Sequence, residues 1–247
     1  MSHILITGAS SGIGKALAYA YADPSNHLYL IGRNEERLKE VSEECAKKGA
    51  NVNYKVINVI DFTLLNDFIK SLPQIDIVFA NAGISAGTSK GRESYKQIKE
   101  IFDINLYGVI NTITPAYELM LNKGTKGHVV IISSIAGINP LPSCPAYSSS
   151  KAAIRYYGIA LGMELKKYNI NVTVVNPGFI ITPMTEVNNF HMPFLLSAEQ
   201  AAKIIKKKLS SKPLQINFPF IMYAIAAFIN YLPLKIKTLI LSNLPKK

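Results

Sequence analysis

There is no tryptophan in this chain, and only two cysteines and four histidines among its 247 residues. So few thiols exclude a disulfide-built scaffold, and Cys45 and Cys144 stand too far apart in sequence for the close spacing of a metal site. His3, His27 and His128 fall at strand starts with no ligand spacing, so no metal is expected. Acid is scarce as well: 16 Asp and Glu face 27 Lys and Arg, a formal net charge of +11. The imbalance is local. Residues 201–247 carry nine lysines and neither Asp nor Glu, which leaves the rest of the chain nearly neutral. Long apolar runs are missing too: the longest, FPFIMYAIAAFI from Phe218 to Ile229, falls well short of the ~20 residues that cross a bilayer. No basic n-region or apolar h-region precedes Ile4-Leu5-Ile6, which speaks against a cleaved secretion signal and for the cytoplasm.

What is present is an alternation of strand and helix signals. Apolar or β-branched runs occur at 3–7, 27–31, 51–59, 75–80, 127–133, 170–176 and 214–218. Segments of helical period lie between them, at 35–48, 62–71, 105–121, 146–168 and 198–209. Strands separated by helices predict an α/β Rossmann-type, doubly wound fold: a mostly parallel seven-stranded sheet with helices on both faces and ligands at the carboxyl ends of its strands. The expected organisation is a nucleotide-binding domain over 1–219 and an apolar, lysine-rich extension over 220–247.

Chemistry is written at several places. Directly after the first strand comes Thr7-Gly8-Ala9-Ser10-Ser11-Gly12-Ile13-Gly14, then a helix-compatible run. Glycines at 8, 12 and 14 permit a tight turn and close approach of backbone to a pyrophosphate at a helix N-terminus. The second strand ends Gly32-Arg33. A cofactor with a free adenine ribose wants an acidic residue there, whereas Arg33 offers a fork for a 2′-phosphate, so NADP(H) is favoured over NAD(H). Tyr147 and Lys151 stand at i and i+4 of a helix, which puts phenol and ammonium on one face, and Ser134 ends a strand just upstream.

These segments, with Asn81-Ala82-Gly83, Asn105 and Pro177-Gly178 followed by Thr182, resemble the short-chain dehydrogenase/reductase family over residues 3 to about 218. The resemblance implies a catalytic set of Asn105, Ser134, Tyr147 and Lys151. In it Tyr147 is the general acid, Ser134 holds the carbonyl oxygen, and Lys151 binds the nicotinamide ribose and depresses the Tyr147 pKa. Asn105 anchors a water that links Lys151 to solvent. It also implies a cofactor site built from Gly8, Ser10, Ser11, Gly12, Ile13, Gly14, Arg33, Asn58, Val59, Asn81, Ala82, Gly83, Tyr147, Lys151, Pro177, Gly178, Ile180 and Thr182, and a homodimer or homotetramer. Two positions depart from the family pattern: Asn58-Val59 stands where Asp-Val is usual, and Ala80 where Asn is frequent.

The resemblance also implies a lid after Pro177-Gly178, and here the segment from Met184 to Leu196, rich in Phe, Met, Leu and Pro, is apolar enough to cover a lipophilic carbonyl or alcohol substrate. His191 within it is read as a packing or surface residue. For the C-terminal extension two readings stand. The acid-free lysines favour an interfacial anchor on an anionic membrane over a helix buried against the sheet, a dimer mate or the substrate cleft. Alternatives to a lipophilic carbonyl reductase are a 3-oxoacyl reductase serving an acidic acyl carrier protein and a non-catalytic NADP-binding module, against which the complete Ser134, Tyr147 and Lys151 set argues. Nucleic acid is not expected, because the lysines adjoin an apolar segment instead of alternating with aromatics.

Overall fold

The computed structural model describes residues 1–85, 91–186, 188 and 190–243. Seven strands form one sheet: β1 (Ser2–Thr7), β2 (Asn26–Gly32), β3 (Asn51–Val56), β4 (Ile77–Ala80), β5 (His128–Ile132), β6 (Asn171–Pro177) and β7 (Gln215–Phe218). Their order is β3-β2-β1-β4-β5-β6-β7 and every neighbouring pair is parallel. Helices α1 (Gly12–Tyr21), α2 (Glu35–Lys47), α3 (Phe62–Ser71), α4 (Tyr95–Phe102), α5 (Gly108–Lys123), α6 (Pro145–Leu165) and α7 (Ala198–Leu209) join the strands, and α8 (Phe220–Tyr231) and α9 (Leu234–Ser242) follow β7.

Period-two alternation explains why the inner strands read as unbroken apolar runs: both faces are buried. Ile4 and Ile6 point to one side with Leu28, Leu30 and Val130, where Leu17 of α1, Leu38 of α2 and Ile205 of α7 meet them. Leu5 and Ile31 point to the other, against Leu65 of α3, Ile113 of α5 and Ile154 of α6. β3 is the exception, an edge strand whose Tyr54 and Val56 stay exposed. The chain leaves β1 toward β2 and β3, then returns to β4 on the other side of β1. Between the carboxyl ends of β1 and β4 the connections diverge, and a crevice opens there.

Three expectations shift. The third strand stops at Val56, and Ile57-Asn58-Val59 leaves the sheet because its partner β2 ends at Gly32. The fourth begins at Ile77, although Asp76 still pairs through its backbone with His3 and His128. Tyr95–Phe102 is a helix that the periodicity did not reveal, capped by Ser94, whose hydroxyl accepts from Gln97 N–H at 3.2 Å. It runs through a π-helical turn, Asp103–Tyr107, into α5.

The lysines of the last fifty residues also separate. The Lys206 ammonium donates to the Ala20 carbonyl at 2.5 Å and sits over the Tyr21 ring, so it fastens α7 to α1. Lys212 lies in the turn that enters β7 and acts electrostatically on His128 at the start of β5, at the sheet edge opposite the crevice. Lys235 and Lys237 belong to α9, and Lys246 and Lys247 lie outside the described residues.

His128 is buried and hydrogen-bonds Thr173 Oγ1 at 2.8 Å. Burial, helped by Lys212, pushes its imidazole down to about 4. An unfolded chain takes up that proton near 6.5. Stability is therefore expected to fall as pH drops from about 6.5 toward 4, by up to about 3 kcal/mol. A urea titration series across this window is expected to show the slope, and His128→Gln to flatten it.

Candidate active site

The crevice begins at the turn after β1. Gly8 and Gly12 adopt left-handed φ of 65° and 53°, and Ser11 stands in extended backbone just before α1, with no side-chain hydrogen bond to the helix. Gly14 allows the closest approach: a Cβ there would lie 2.2 Å from the Gly8 carbonyl oxygen, so no side chain fits. The N-terminus of α1 carries no acidic residue in its first turn and faces the opening with its unpaired N–H groups. An anion is the ligand such a turn suits.

Asn81 fixes this turn to β4. Its amide nitrogen donates to the Thr7 carbonyl at 3.0 Å and to the Gly8 carbonyl at 3.3 Å. Thr7 Oγ1 accepts from the N–H groups of Asn81 and Ala82 at 3.2 and 3.3 Å and donates to the Phe79 carbonyl. Thr7 is thus a structural tie at the site. Asn81 spends its amide on the β1 turn while still lining the cleft.

On the other side of the crevice, β5 and α6 are clasped by a reciprocal pair of hydrogen bonds. Ser133 Oγ donates to the Lys151 carbonyl at 2.8 Å, and the Lys151 ammonium donates to the Ile132 carbonyl at 2.9 Å. Pro145 opens α6 at its first turn, and Glu93 accepts from the Ala146 N–H at 2.9 Å. Tyr147 and Lys151 then project from one face, with the ammonium 5.9 Å from the phenol ring centroid. Ser134, at the end of β5, hydrogen-bonds the Tyr147 phenol. The three side chains singled out from sequence therefore meet.

Electrostatics depart from the expectation. Burial pushes the Tyr147 phenol up to about 12, against the smaller downward pull of the Ser134 hydrogen bond. The protein's own groups, burial foremost, hold the proton on this phenol. Burial also lowers Lys151 to about 8, which leaves it charged at neutral pH. Asn105, buried in the π-helical turn, accepts from Ile84 N–H at 2.8 Å and donates to the Ile84 carbonyl at 2.8 Å and to Ser150 Oγ at 3.2 Å. Its side chain holds the chain beyond β4. Gly83 lies between it and Lys151: a Cβ there would sit 3.2 Å from Asn105 Oδ1 and 3.4 Å from the Lys151 ammonium.

The cleft so formed, about 460 Å³, is lined by Gly8, Ser10, Ser11, Gly12, Ile13, Arg33, Asn58, Val59, Asn81, Ala82, Gly83, Ser134, Tyr147, Lys151, Pro177, Gly178, Ile180 and Thr182. Gly14 stands behind the turn and Asn105 behind Gly83, as supports. Sequence reasoning missed Arg37, Asn34 and Thr185, which also line it. Arg37 was findable, four residues after Arg33 on the first turn of α2. Asn34 caps that helix, accepting from Arg37 N–H at 2.8 Å. Val59 is held from behind by Asn111, which donates to its carbonyl at 3.0 Å. After β6, Ile180 forms a bridge with Leu196, and Thr185 Oγ1 donates to the Ile180 carbonyl at 2.6 Å. Phe179 and Phe190 meet edge to face, and His191 is exposed, while positions 187 and 189 lie outside the described residues.

Comparison with known proteins agrees with this geometry. A family model described as short chain dehydrogenase matches residues 2–192. An uncharacterized oxidoreductase of Myxococcus xanthus is 30% identical over 220 residues, 87% of this chain and 87% of that protein. A short-chain dehydrogenase from Sphingobium yanoikuyae, solved in complex with NADPH, superimposes with a TM-score of 0.83 at 21% identity, covering 99% of this chain and 97% of that one. A short chain dehydrogenase from Mycobacterium paratuberculosis, bound to NAD, gives 0.76 at 24% identity, with 87% and 95% covered. At these identities the two structures share the fold.

Replacing Asn105 by Ala strips partners from both backbone groups of Ile84 and is expected to lower stability by about 2 kcal/mol. Urea unfolding at neutral pH measures it.

Proposed function

The chain belongs to the short-chain dehydrogenase/reductase family, an oxidoreductase family that uses NAD(P), and on that premise we propose that it is an NADPH-dependent reductase of a lipophilic carbonyl compound. The observation that carries the reading is the convergence of Ser134, Tyr147 and Lys151 on the cleft that begins at the glycine turn. The residues suit a dinucleotide: Gly14 lets α1 pack tightly behind the glycine turn, and the α1 N-terminus meets the cleft without a competing carboxylate. When bound, such a cofactor supplies a hydride.

The protein's contribution is position and proton. Ser134 and Tyr147 both donate to the carbonyl oxygen, and the Tyr147 proton moves to it as negative charge develops there. A phenol held protonated to about 12 suits reduction, because the acid arrives loaded at neutral pH. The Lys151 ammonium, charged below about 8, stabilises the phenolate left behind and holds the nicotinamide ribose. Lys151 returns a proton to Tyr147, and Asn105, across Gly83 from it, would anchor the water that links Lys151 to solvent. The lid from Met184 to Leu196, with Phe179 and Phe190 packed at its base, supports a lipophilic substrate.

Preference for NADP(H) rests on Arg33 and Arg37. Both line the cleft, neither forms an ion pair among the described residues, and Gly32 offers no carboxylate to a ribose. Ser10 Oγ lies 3.3 Å from where a Gly32 Cβ would stand, so a hydroxyl donor joins the two guanidinium groups at the 2′ position.

Tyr147→Phe keeps the ring and removes the proton donor. Its kcat for NADPH-dependent reduction, over ketones from short to long-chain and polycyclic, is expected to fall ~10²–10⁴-fold, and unchanged turnover removes Tyr147 as the acid. Arg33→Ala is expected to weaken NADPH binding roughly 10- to 100-fold while NADH affinity holds, since only the former loses a charge-assisted pair. Calorimetric titration of the two nucleotides distinguishes the outcomes.

A further inference from the structure

The helices α8 and α9 are apolar on the side that the rest of the molecule leaves uncovered. In α8 no residue is fully buried. Met222, Ala226 and Ile229 turn inward and are half-buried, whereas Ile221, Ile225 and Phe228, spaced at one helical face, are 54, 54 and 66% exposed. On α9 Leu234, Ile236 and Leu239 are 69, 48 and 68% exposed. Isolated exposed leucines are ordinary, but two consecutive helices presenting large apolar side chains make a contiguous patch of the kind that marks an interaction surface.

Charge selects the occupant. From residue 200 onward the chain has no acidic residue, and α9 sets Lys235 and Lys237 among these apolar side chains. Among the described residues Lys237 bonds only neutral oxygens, the Asn230 carbonyl at 2.8 Å and its Oδ1 at 3.2 Å, and these tie α9 to the end of α8 without supplying a counter-charge. A second copy of the chain docking here by two-fold symmetry would set the same cationic patch against itself. An anionic lipid surface offers both the apolar phase and the opposite charge. Spanning is excluded for these helices, since no helix among the described residues is long and apolar enough to cross a membrane.

We propose that α8 and α9 form a membrane-docking surface that lies flat on an anionic bilayer, with Ile221, Ile225 and Phe228 in the acyl boundary and Lys235 at the headgroups. The surface lies beside the cleft: the Asn139 amide donates to the Ala226 carbonyl at 2.7 Å, and Met222 Sδ stands 2.9 Å from where a Cβ on Gly178, a residue that lines the cleft, would be. A docked chain therefore takes its substrate from the lipid phase. That second clause rests on the carbonyl reductase reading; the docking itself does not.

The test is sedimentation of the full chain with vesicles of phosphatidylcholine alone and of phosphatidylcholine with phosphatidylserine. The expected result is pelleting with the anionic vesicles, weakened by added salt and weakened about fivefold by Lys235→Gln. The triple variant Ile221→Ser, Ile225→Ser, Phe228→Ser, altered only at exposed positions, is expected to lose at least about tenfold in vesicle binding. Its NADPH binding, followed by fluorescence, checks that it is folded. Failure of the full chain to pellet, or a triple variant that pellets equally well, overturns the docking surface. So does a dimer in analytical ultracentrifugation that the triple variant dissociates, which would assign the face to a second copy. Vesicle binding without reduction of any carbonyl would leave docking standing and remove the reductase reading together with delivery from lipid.

Discussion

A lysine ammonium buried at the end of a parallel sheet is the constraint around which this molecule is arranged. Lys151 is 4% exposed and donates to the Ile132 carbonyl, and burial pulls its pKa to about 8. Removing a cation from water costs several kcal/mol unless acceptors replace the lost hydration, so the surroundings must be fixed in place. The Ser133 bond to the Lys151 carbonyl returns the clasp from strand to helix. With β5 and α6 locked to each other, Ser134 and Tyr147 have little freedom to part. Three side chains drawn from two elements then hold one geometry, which is the condition for a proton to move at the moment negative charge appears on a carbonyl oxygen.

The opposite wall of the cleft is built on different physics. There the backbone does the work, and side chains are kept out. Gly14 lets α1 approach the β1 turn closely, and Asn81 with Thr7 ties that turn to β4 across the point where the strand order reverses. A rigid positive helix terminus thus faces a rigid cation and phenol. The C-terminal helices pack beside the same cleft, with Met222 against Gly178 and the Ala226 carbonyl on the Asn139 amide. Their uncovered apolar face is costly in water, as contiguous exposed apolar side chains generally are.

The βαβ rhythm, the sheet with helices on both faces and the glycine turn were legible because each is a local pattern: burial on both faces makes parallel strands continuously apolar, and positive φ demands glycine. Arg33, Ser134, Tyr147 and Lys151 were legible as residue types at fixed spacings. Less was readable where distant elements compete. The third strand ends early because β2 offers no further partner, and α4 hides its short apolar face among charged residues. Thr7 was visible as part of a motif, but its bonds to residues 79, 81 and 82 bring together groups more than seventy positions apart.

By itself the sequence determined the fold class, the place of the cleft and most of the residues that line it, since periodicity and motif spacing are properties of neighbouring residues. Only the tertiary structure decided the charge states and the company each residue keeps. Burial, a property of the whole packed chain, raises the Tyr147 phenol where spacing alone suggested that Lys151 would lower it. Packing likewise divided one run of lysines among a helix clasp, the base of the sheet and the uncovered face of α9.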